Sequence, residues 1–253
     1  MALEIFNNED LQNKQSAKFK TNFKSDRKKP EFPEGVFVIT DIKQAVKNPN
    51  RVNISVNGKY RFSLDIYQLT SLNVKIGVKF SEDELKNLEQ QSEFGKLYAR
   101  VLEYCLTRPH SEEEVRDYLW KKTLNRKLKN RKTGEMYEKA GVSKISAEQV
   151  VERLKEKDYI NDDRFSLWWA ENRNQRKGTS LKKLRLELQQ KGVNSEIITQ
   201  VLSESSRDDN AEIMKIIAKK AHRYTDQNKF ISYLVRQGFS YDDIKRALNR
   251  ETD

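Results

Sequence analysis

The chain has 253 residues, of which 36% are hydrophobic and 34% are charged. This length and composition allow one or two folded domains with a modest core. The sequence contains no run of 18 or more apolar residues, and its first residues lack the basic and apolar regions of a secretory signal. We therefore expect a cytoplasmic protein without a membrane segment. The single cysteine, Cys105, excludes an intramolecular disulfide and is expected to be an ordinary buried thiol.

Positive charge is concentrated in two segments. Lys and Arg total 49 against 38 Asp and Glu, which gives a net charge of +11. Residues 121–144 hold nine basic and two acidic residues, and residues 172–192 hold seven and one, so these segments carry +7 and +6. Such a concentrated positive field favours a polyanionic partner such as nucleic acid. A solvated surface that only aids solubility is the alternative.

The sequence changes character at residue 36. Residues 1–35 show little apolar periodicity and predict a flexible tail. The pattern then alternates with period two, which predicts strands over the ranges 36–44, 52–56, 59–66 and 75–80. Ser81 and Glu84 follow as the capping box of a helix. The sequence thus predicts a small β-containing unit over residues 36–93 that ends in a helix.

The turn at Asn57 and Gly58 raises a question of register. The apolar residues of the two flanking strands share a face only if Val56 opposes Tyr60. That pairing requires an odd-numbered connection, whereas Asn-Gly favours a two-residue turn. Either a β-bulge beside the turn or a sheet covered on both faces would reconcile the two.

One segment recurs along the second half of the chain. Residues 180–202 align without gaps on residues 226–248, at an offset of 46 that places Gly192 on Gly238. An interrupted copy precedes them: residues 111–119 align at an offset of 69 and residues 145–154 at an offset of 48. The difference is a 21-residue insertion. Copies at this spacing indicate stacked helical units, and we expect each to need its neighbours to bury its apolar face.

Helix boundaries can be predicted within each copy. The first helices are predicted over 94–107, 162–176 and 211–223. Ser111 and Ser180 are expected to cap the second helices, Ser111 within another capping box. Gly192 and Gly238 are expected to end those helices in left-handed conformations. One repeat position supplies the N-caps of the third helices, namely Ser146, Asn194 and Ser240.

The predicted fold is therefore mainly α: a tandem array of three three-helix repeats, preceded by the small β-containing N-terminal unit. The predicted units are a tail over 1–35, the β-containing unit over 36–93, repeat 1 over 94–160 with a basic insertion over 121–144, repeat 2 over 161–206 and repeat 3 over 207–253.

Several motifs within the copies resemble the RecX family of RecA modulators. YINDDRF (159–165), followed by RNQRKGTSLKKLRLELQQKGV (173–193), is similar to the central signature of that family, and RPHSEEEVRDYL (108–119) also matches. The resemblance runs from residue 94 to the C-terminus. Residues 36–93 look like the β-containing extension of some relatives. The chain departs from the pattern at Ser180 and Leu181, where relatives often have Gly-Pro.

The resemblance implies a non-enzymatic regulator without a cofactor. Such a protein binds RecA and its filament on DNA, inhibits RecA ATP hydrolysis and strand exchange, and so modulates recombination and DNA repair. We expect a monomer. The alternative is a stand-alone DNA-binding helical module, since three-helix units with tight turns also resemble helix-turn-helix proteins. A pure protein-interaction scaffold would show no salt-sensitive binding to nucleic acid.

Little in the sequence suggests catalysis. His110 and His222 lie in different copies with no Cys or carboxylate at ligand spacing, so we predict no metal site. Neither GxxxxGK nor GxGxxG occurs. Trp168 and Trp169 could stack on bases, but they form a helical stripe with Phe165, and we expect at least one in the core.

The basic residues are the candidates for contact with RecA or DNA. Glu187 and Lys191 also fit an ordinary i, i+4 pair that supports their helix, and any of the cations could be a solvated charge or complement a helix C-terminus. The candidates in the second basic segment are Arg173, Arg176, Lys177, Lys182, Lys183, Arg185 and Lys191. Those in the insertion are Arg126, Lys127, Lys129, Arg131 and Lys132.

Overall fold

The computed structural model describes residue 33 and residues 35–249. The predicted tail over residues 1–35 therefore falls almost wholly outside the described residues. Within them, the chain forms a four-stranded sheet followed by helices, with a small hairpin inserted among the helices. The predicted fold class is confirmed.

The N-terminal unit is an antiparallel sheet in the order β3-β2-β1-β4. Its strands are β1 (Phe37–Ala45), β2 (Asn48–Val56), β3 (Lys59–Asp65) and β4 (Lys79–Phe80). A short helix that the sequence analysis missed, α1 (Ile66–Ser71), follows β3 with Asp65 as its N-cap. The last strand is shorter than the predicted range of 75–80.

A β-bulge resolves the register of the β2–β3 hairpin. Ile54 pairs with Phe62, but Ser55 pairs with Tyr60, so Arg61 is the additional residue. Asn57 and Gly58 adopt φ values of 49° and 78°, as a two-residue turn of the predicted kind requires.

Helix α2 (Glu82–Thr107) is continuous over 26 residues and serves two units. The predicted capping box of Ser81 and Glu84 begins it. Its first half packs Leu85 and Leu88 on the sheet, and its second half packs on a helix of copy 1. The predicted boundary between residues 93 and 94 falls inside this helix, because nothing in the sequence there interrupts helical hydrogen bonding.

The remaining elements form three copies of a helix triplet. The second half of α2, α3 (Glu112–Thr123) and α4 (Lys144–Glu156) make copy 1. Copy 2 consists of α5 (Asp162–Asn172), α6 (Leu181–Gln190) and α7 (Ser195–Glu204). Copy 3 consists of α8 (Asp209–Lys220) with a 3-10 turn (Ala221–Arg223), α9 (Gln227–Arg236) and α10 (Tyr241–Asn249). Helix α5 ends four residues before its predicted end.

The insertion in copy 1 forms a β-hairpin, where we expected only helix beyond the N-terminal sheet. Strands β5 (Arg126–Lys129) and β6 (Met136–Lys139) pair with each other alone. After the hairpin, Ser143 caps α4, and the predicted cap Ser146 lies buried inside the helix. That prediction was wrong because the insertion replaces the tight glycine turn of the other copies and lets α4 begin one turn earlier.

The other predicted caps are present. The Ser180 hydroxyl accepts from Lys183 N at 3.1 Å, Asn194 Oδ1 accepts from Glu196 N at 2.8 Å, and the Ser240 hydroxyl accepts from Asp243 N at 3.1 Å. Gly192 and Gly238 have φ values of 77° and 97°. These interactions are local, which is why the sequence alone predicts them.

Each copy buries its own apolar core. Leu184, Leu188 and Ile198 belong to a cluster made only of residues from copy 2, and copies 1 and 3 have separate clusters of their own. The expectation that a copy needs its neighbours to cover its apolar face was therefore wrong. Three helices already enclose a core, and polar contacts join one copy to the next.

Candidate functional site

The predicted contact residues fall on two separate surfaces. We call one the α6 cluster, which comprises Arg173, Arg176, Lys177, Lys182, Lys183, Arg185 and Lys191. We call the other the hairpin cluster, which comprises Arg126, Lys127, Lys129, Arg131 and Lys132. The structure places the first between α5 and α7 and the second on β5 and the turn that follows it.

All five residues of the hairpin cluster are exposed. Arg126 donates from Nη2 to the carbonyl of Lys121 at 2.5 Å. Across residues 35–249, no ion pair forms with any member of the cluster. Their charge therefore remains available to a partner.

Arg173 in the α6 cluster is held by an intramolecular contact. Its Nε and Nη2 donate to the two carboxylate oxygens of Glu187 at 2.8 and 3.1 Å. The guanidinium also lies over the ring of Trp169, 5.1 Å from its centre, and Trp169 Nε1 donates to Glu187 Oε2 at 3.1 Å. Glu187 thus joins α5 to α6, and Arg173 has a structural role within copy 2.

Lys191 reaches out of its own copy. Its Nζ lies 2.6 Å from Glu114 Oε1 of α3, so the predicted pair of Glu187 with Lys191 is wrong. Lys191 also lies over the Trp169 ring, 5.5 Å from its centre. Glu187 and Lys191 do not pair because the tertiary fold gives each of them another partner. Arg173 binds Glu187, and Glu114 binds Lys191.

Glu114 is the centre of the contact between copies 1 and 2. Arg108 donates to both of its carboxylate oxygens at 2.9 and 3.2 Å, and His110 Nδ1 lies 3.0 Å from Oε2. Burial alone would raise the pKa of Glu114, but the hydrogen bonds from His110, Arg108 and Lys191 outweigh it and hold the pKa well below its usual range. Glu114 therefore does not return to the Ser111 backbone, and only half of the predicted second capping box forms.

The same two repeat positions meet again between copies 2 and 3. Lys183 aligns with Glu114, and Gln237 aligns with Lys191. Lys183 Nζ lies 3.1 Å from Gln237 Oε1. Lys183 is thus another member of the α6 cluster with a structural contact.

A half-buried aspartate recurs at both joints, by which we mean the contact between copies 1 and 2 and the contact between copies 2 and 3. Asp162 Oδ1 accepts from Glu112 N at 2.9 Å, and Asp209 Oδ1 accepts from Leu181 N at 2.8 Å. Glu112 and Leu181 are the first residues of the second helices, so each aspartate satisfies a helix N–H that has no partner within its helix. Burial raises the pKa of both carboxyls, partly offset by these hydrogen bonds.

Gly178 allows the closest approach between copies 2 and 3. Its φ is +80°, and a Cβ there would lie 2.5 Å from the carbonyl oxygen of Glu212. Glu212 itself is buried and accepts from Thr179 N at 2.9 Å. The Ser180 hydroxyl donates to the carbonyl of Gln237 at 2.7 Å. The loop before α6 therefore makes the main contacts of copy 2 with Glu212 and Gln237 of copy 3.

Four members of the α6 cluster remain free for a partner. Arg176, Lys177 and Lys182 are exposed, and Arg185 donates only to the Thr199 hydroxyl, at 2.9 Å. None of the four forms an ion pair with the described part of the chain. The structure thus divides the cluster into these four cations and three that hold the fold together.

The aromatic pair belongs mainly to the core of copy 2. Trp168 and Trp169 are half-buried and pack against the cluster that contains Phe165. Arg108 of the preceding segment lies over the Trp168 ring, 5.2 Å from its centre. The faces needed for base stacking are thus occupied by cations of the chain itself.

The described residues contain no cluster of His, Cys, Asp and Glu that could hold a metal ion. Burial raises the pKa of the Cys105 thiol to about 11, as expected for an inert buried cysteine. Among the same residues, no helix is long and apolar enough to span a membrane.

Comparison with known proteins finds similarity to one family. The sequence model described as "Regulatory protein RecX N-terminal domain" matches residues 37–81, and "RecX, second three-helix domain" matches residues 161–202. "Regulatory protein RecX" of Bacillus licheniformis is 28% identical over 222 residues, which cover 85% of this chain and 77% of that protein. The protein of the same name from Geobacillus sp. (strain WCH70) is 29% identical over 227 residues, with the same coverage.

In sequence, the chain is similar to RecX proteins over 85% of its length. A solved structure, "Crystal structure of regulatory protein RecX", has the same fold, with a TM-score of 0.62 and 18% identity over 84% of this chain and 99% of that one. The predicted resemblance is thus confirmed. The RecX three-helix match contains all of the α6 cluster, whereas the hairpin cluster lies outside both matched ranges.

Sequence reasoning missed the residues that join the copies. Glu114, Asp162, Asp209 and Glu212 were not among the candidates, although the repeat alignment carried a signal for one of them. It places an acid at position 114 where the next copy has Lys183. Such an exchange of charge at one repeat position indicates a contact made differently at each joint.

Proposed function

We propose that this protein binds RecA and its filament on DNA and inhibits RecA ATP hydrolysis and strand exchange. It would act in the cytoplasm as a monomer, without catalysis, and would modulate recombination and DNA repair. The relatives named "Regulatory protein RecX" support a regulatory role. The RecA partner and the inhibition come from what the family resemblance implies.

The observation that carries the proposal is the free charge of the α6 cluster. Arg176, Lys177, Lys182 and Arg185 lie within ten residues of one another and make no ion pair with the described residues. Holding like charges together without counterions is unfavourable unless a polyanion neutralises them. A filament that contains DNA phosphates has the complementary charge.

The arrangement of copies supports an elongated partner. Three triplets, each with its own core, are joined by polar contacts and a close glycine approach. Tandem helical repeats present extended surfaces, and such surfaces suit a filament better than a small ligand.

Three binding measurements test the proposal. Single-stranded DNA, RecA alone and RecA assembled on DNA are titrated with the protein across a range of salt, with a RecA from the same source. We expect the tightest binding to RecA on DNA, together with slower ATP hydrolysis and strand exchange at near-stoichiometric amounts. Unchanged rates at saturating protein would refute the proposal.

A variant locates the contact. Arg176→Gln, Lys177→Gln, Lys182→Gln and Arg185→Gln combined should weaken binding to RecA on DNA at least roughly tenfold, or about 1.4 kcal/mol. The magnitude of the slope of log affinity against log salt should fall by about 0.7 to 0.9 for each phosphate that the variant no longer binds. Wild-type affinity and slope in this variant would exclude the α6 cluster as the contact surface.

The exposed hairpin cluster favours a second candidate, a stand-alone DNA-binding module. All five of its cations are exposed, as required for direct contact with phosphates. Under this alternative, affinity for bare DNA would equal the affinity for RecA on DNA, and RecA alone would not bind.

A further inference from the structure

A basic cleft lies between the N-terminal sheet, α2 and the end of the hairpin. We define the cleft by its four cations, Arg61 of β3, Lys96 and Arg100 of α2, and Lys139 of β6. Its volume is about 400 Å³. Three elements that are distant in sequence thus each contribute at least one cation to the lining of the same cleft. None of these four residues belongs to the α6 cluster or the hairpin cluster.

The carboxylates of the cleft leave most of this charge unpaired. Arg61 binds Glu89, and Glu93 Oε1 accepts from the backbone N of Ser143 at 3.2 Å. Within residues 35–249, no ion pair forms with Lys96, Arg100 or Lys139. Its four cations and two carboxylates, Glu89 and Glu93, leave a surplus of two positive charges, and three of the cations form no ion pair with the described residues.

The cations of the cleft also affect one another. Partial burial lowers the pKa of Lys96, and the charges of Arg51 and Lys139 lower it further against the opposing effect of Glu93. Arg51 is held behind the cleft by donating to the carbonyl of Ser63 at 2.6 Å. A bound anion would relieve this repulsion.

One face of the hairpin continues the cleft. Arg126 pairs directly opposite Lys139, and like charges at opposed positions destabilise a two-stranded ribbon. Two residues further along the same face, Leu128 pairs with Tyr137, whose side chain is half exposed. The face therefore places an accessible aromatic ring beside the cations at the hairpin base.

We propose that the basic cleft and this hairpin face form a binding site for single-stranded nucleic acid. Lys96, Arg100 and Lys139 would bind consecutive phosphates, and Tyr137 would stack on a base. The combination of a cationic groove with an exposed aromatic ring is typical of single-strand recognition, because stacking on a side chain requires an unpaired base. The inference rests on the proposed function for its biological setting, but the binding itself needs no RecA.

The test measures fluorescence anisotropy of a labelled oligo(dT) of about 15 nucleotides, close to the largest site sizes of single-strand binding folds. The full chain is compared with the variant Lys96→Gln, Arg100→Gln and Lys139→Gln. We expect at least a roughly tenfold loss of affinity and a fall of about 2 in the magnitude of the salt slope, since three phosphate contacts contribute about 0.7 each.

A matched control removes the same charge elsewhere. Arg223→Gln, Lys229→Gln and Arg236→Gln change three exposed cations of copy 3 that form no ion pair with the described residues. This control should keep affinity within about twofold of wild type, as expected if global charge adds little beyond direct contacts. An equal loss in both triple variants would overturn the site, because the attraction would then depend on net charge alone.

Tyr137 provides an independent measurement. Tyr137→Ala should lower affinity about fivefold or more while leaving the salt slope unchanged, since one base stack contributes about 1 to 3 kcal/mol. Tyr137→Phe should bind as wild type does. Photo-crosslinking of an oligonucleotide that carries 5-bromodeoxyuridine to the unaltered protein should label the peptide that contains Tyr137, and labelling elsewhere alone would overturn the proposal whether or not the variants fold.

The two proposals can fail separately. Loss of oligo(dT) binding in the cleft variant, with no effect of wild-type protein on RecA, would support this site and refute the proposed function. Inhibition of RecA by wild-type protein, with unchanged oligo(dT) binding in the cleft variant, would do the reverse.

Discussion

Lys191 Nζ lies 2.6 Å from Glu114 Oε1 across the joint between copies 1 and 2. The repeat places Gln237 and Lys183 at the same two positions of the next joint, where Gln237 Oε1 lies 3.1 Å from Lys183 Nζ. The same two positions meet at both joints, but the negative Glu114 is replaced by the positive Lys183 and the positive Lys191 by the neutral Gln237. Each joint is therefore specific, because copy 3 placed on copy 1 would leave Glu114 without the cation that Lys191 supplies.

Removal of the charge of Glu114 should destabilise the protein. Glu114→Gln leaves Arg108 and Lys191 without their carboxylate beside the buried His110. We expect the free energy of unfolding to fall by about 2 to 4 kcal/mol, as when one partner of a largely buried ion pair is lost. Urea unfolding followed by circular dichroism measures this change.

A carboxylate on the surface provides the control for that measurement. Glu148 is 55% exposed and pairs with Arg116. Glu148→Gln should change the free energy of unfolding by less than about 1 kcal/mol, because exposed ion pairs contribute little. Equal effects of the two substitutions would contradict a special role of Glu114 at the joint.

The contribution of Glu114 should depend on pH. Its pKa in the folded protein lies below its unfolded value of about 4.3. The stabilisation is therefore present above that value and is lost as the pH falls toward the folded pKa. The difference in free energy of unfolding between wild type and Glu114→Gln should be largest near neutral pH and shrink below about pH 4. A constant difference from pH 7 to pH 3 would show that the charge is not what matters.

The joint aspartates should respond to pH in the opposite sense. Burial raises the pKa of Asp162 and Asp209 above the unfolded value, so their stabilising contribution is present at low pH and is lost as the pH rises through the folded pKa. Asp209→Asn keeps an acceptor for Leu181 N and should be as stable as wild type or more stable at pH 7. Asp209→Leu removes the acceptor and should cost about 1 to 3 kcal/mol. Thermal unfolding of the two variants across pH checks both expectations, and greater stability of the Leu variant at pH 7 would contradict them.

Substitution of Gly178 should distinguish the energetic cost of a steric clash between copies from the cost of backbone strain. Gly178 and Gly58 both have positive φ, +80° and +78°, but only Gly178 lies against another copy. Gly58→Ala should cost about 1 to 2 kcal/mol from the left-handed conformation alone. Gly178→Ala should cost at least about 1 kcal/mol more, because its Cβ overlaps the Glu212 carbonyl and overpacking adds to the strain. Equal losses in the two variants would mean that the joint can shift freely.

Removal of copy 3 should weaken copy 2 without unfolding it. A chain that ends at residue 206 keeps the apolar cluster of copy 2 intact. It loses the partners of Thr179 N, Ser180 Oγ and Leu181 N, which contribute about 1 kcal/mol each, or about 3 kcal/mol together. The unfolding midpoint of this chain should fall relative to a control chain that ends at residue 249. An unchanged midpoint would make the copies energetically independent.

The sequence by itself determined the repeat, the helix caps and the glycine ends of helices. Those features depend on neighbouring residues: Ser180 and Asn194 bind N–H groups two or three positions away, and Gly192 adopts its positive φ where its helix ends. The register conflict around Asn57 likewise led to two explanations, one of which was the bulge that the structure contains. The spacing of the apolar residues in each copy was sufficient to predict the fold class.

Only the tertiary structure decided how the copies meet and which cations are free. Glu114 lies one turn from Ser111 and matches a capping box locally, yet it binds Lys191, 77 residues away. Arg173 and Lys183 look like free surface cations in sequence, but Glu187 and Gln237 hold them. A side chain's partner across a joint depends on how whole helices pack. Residue type and local spacing do not indicate that packing.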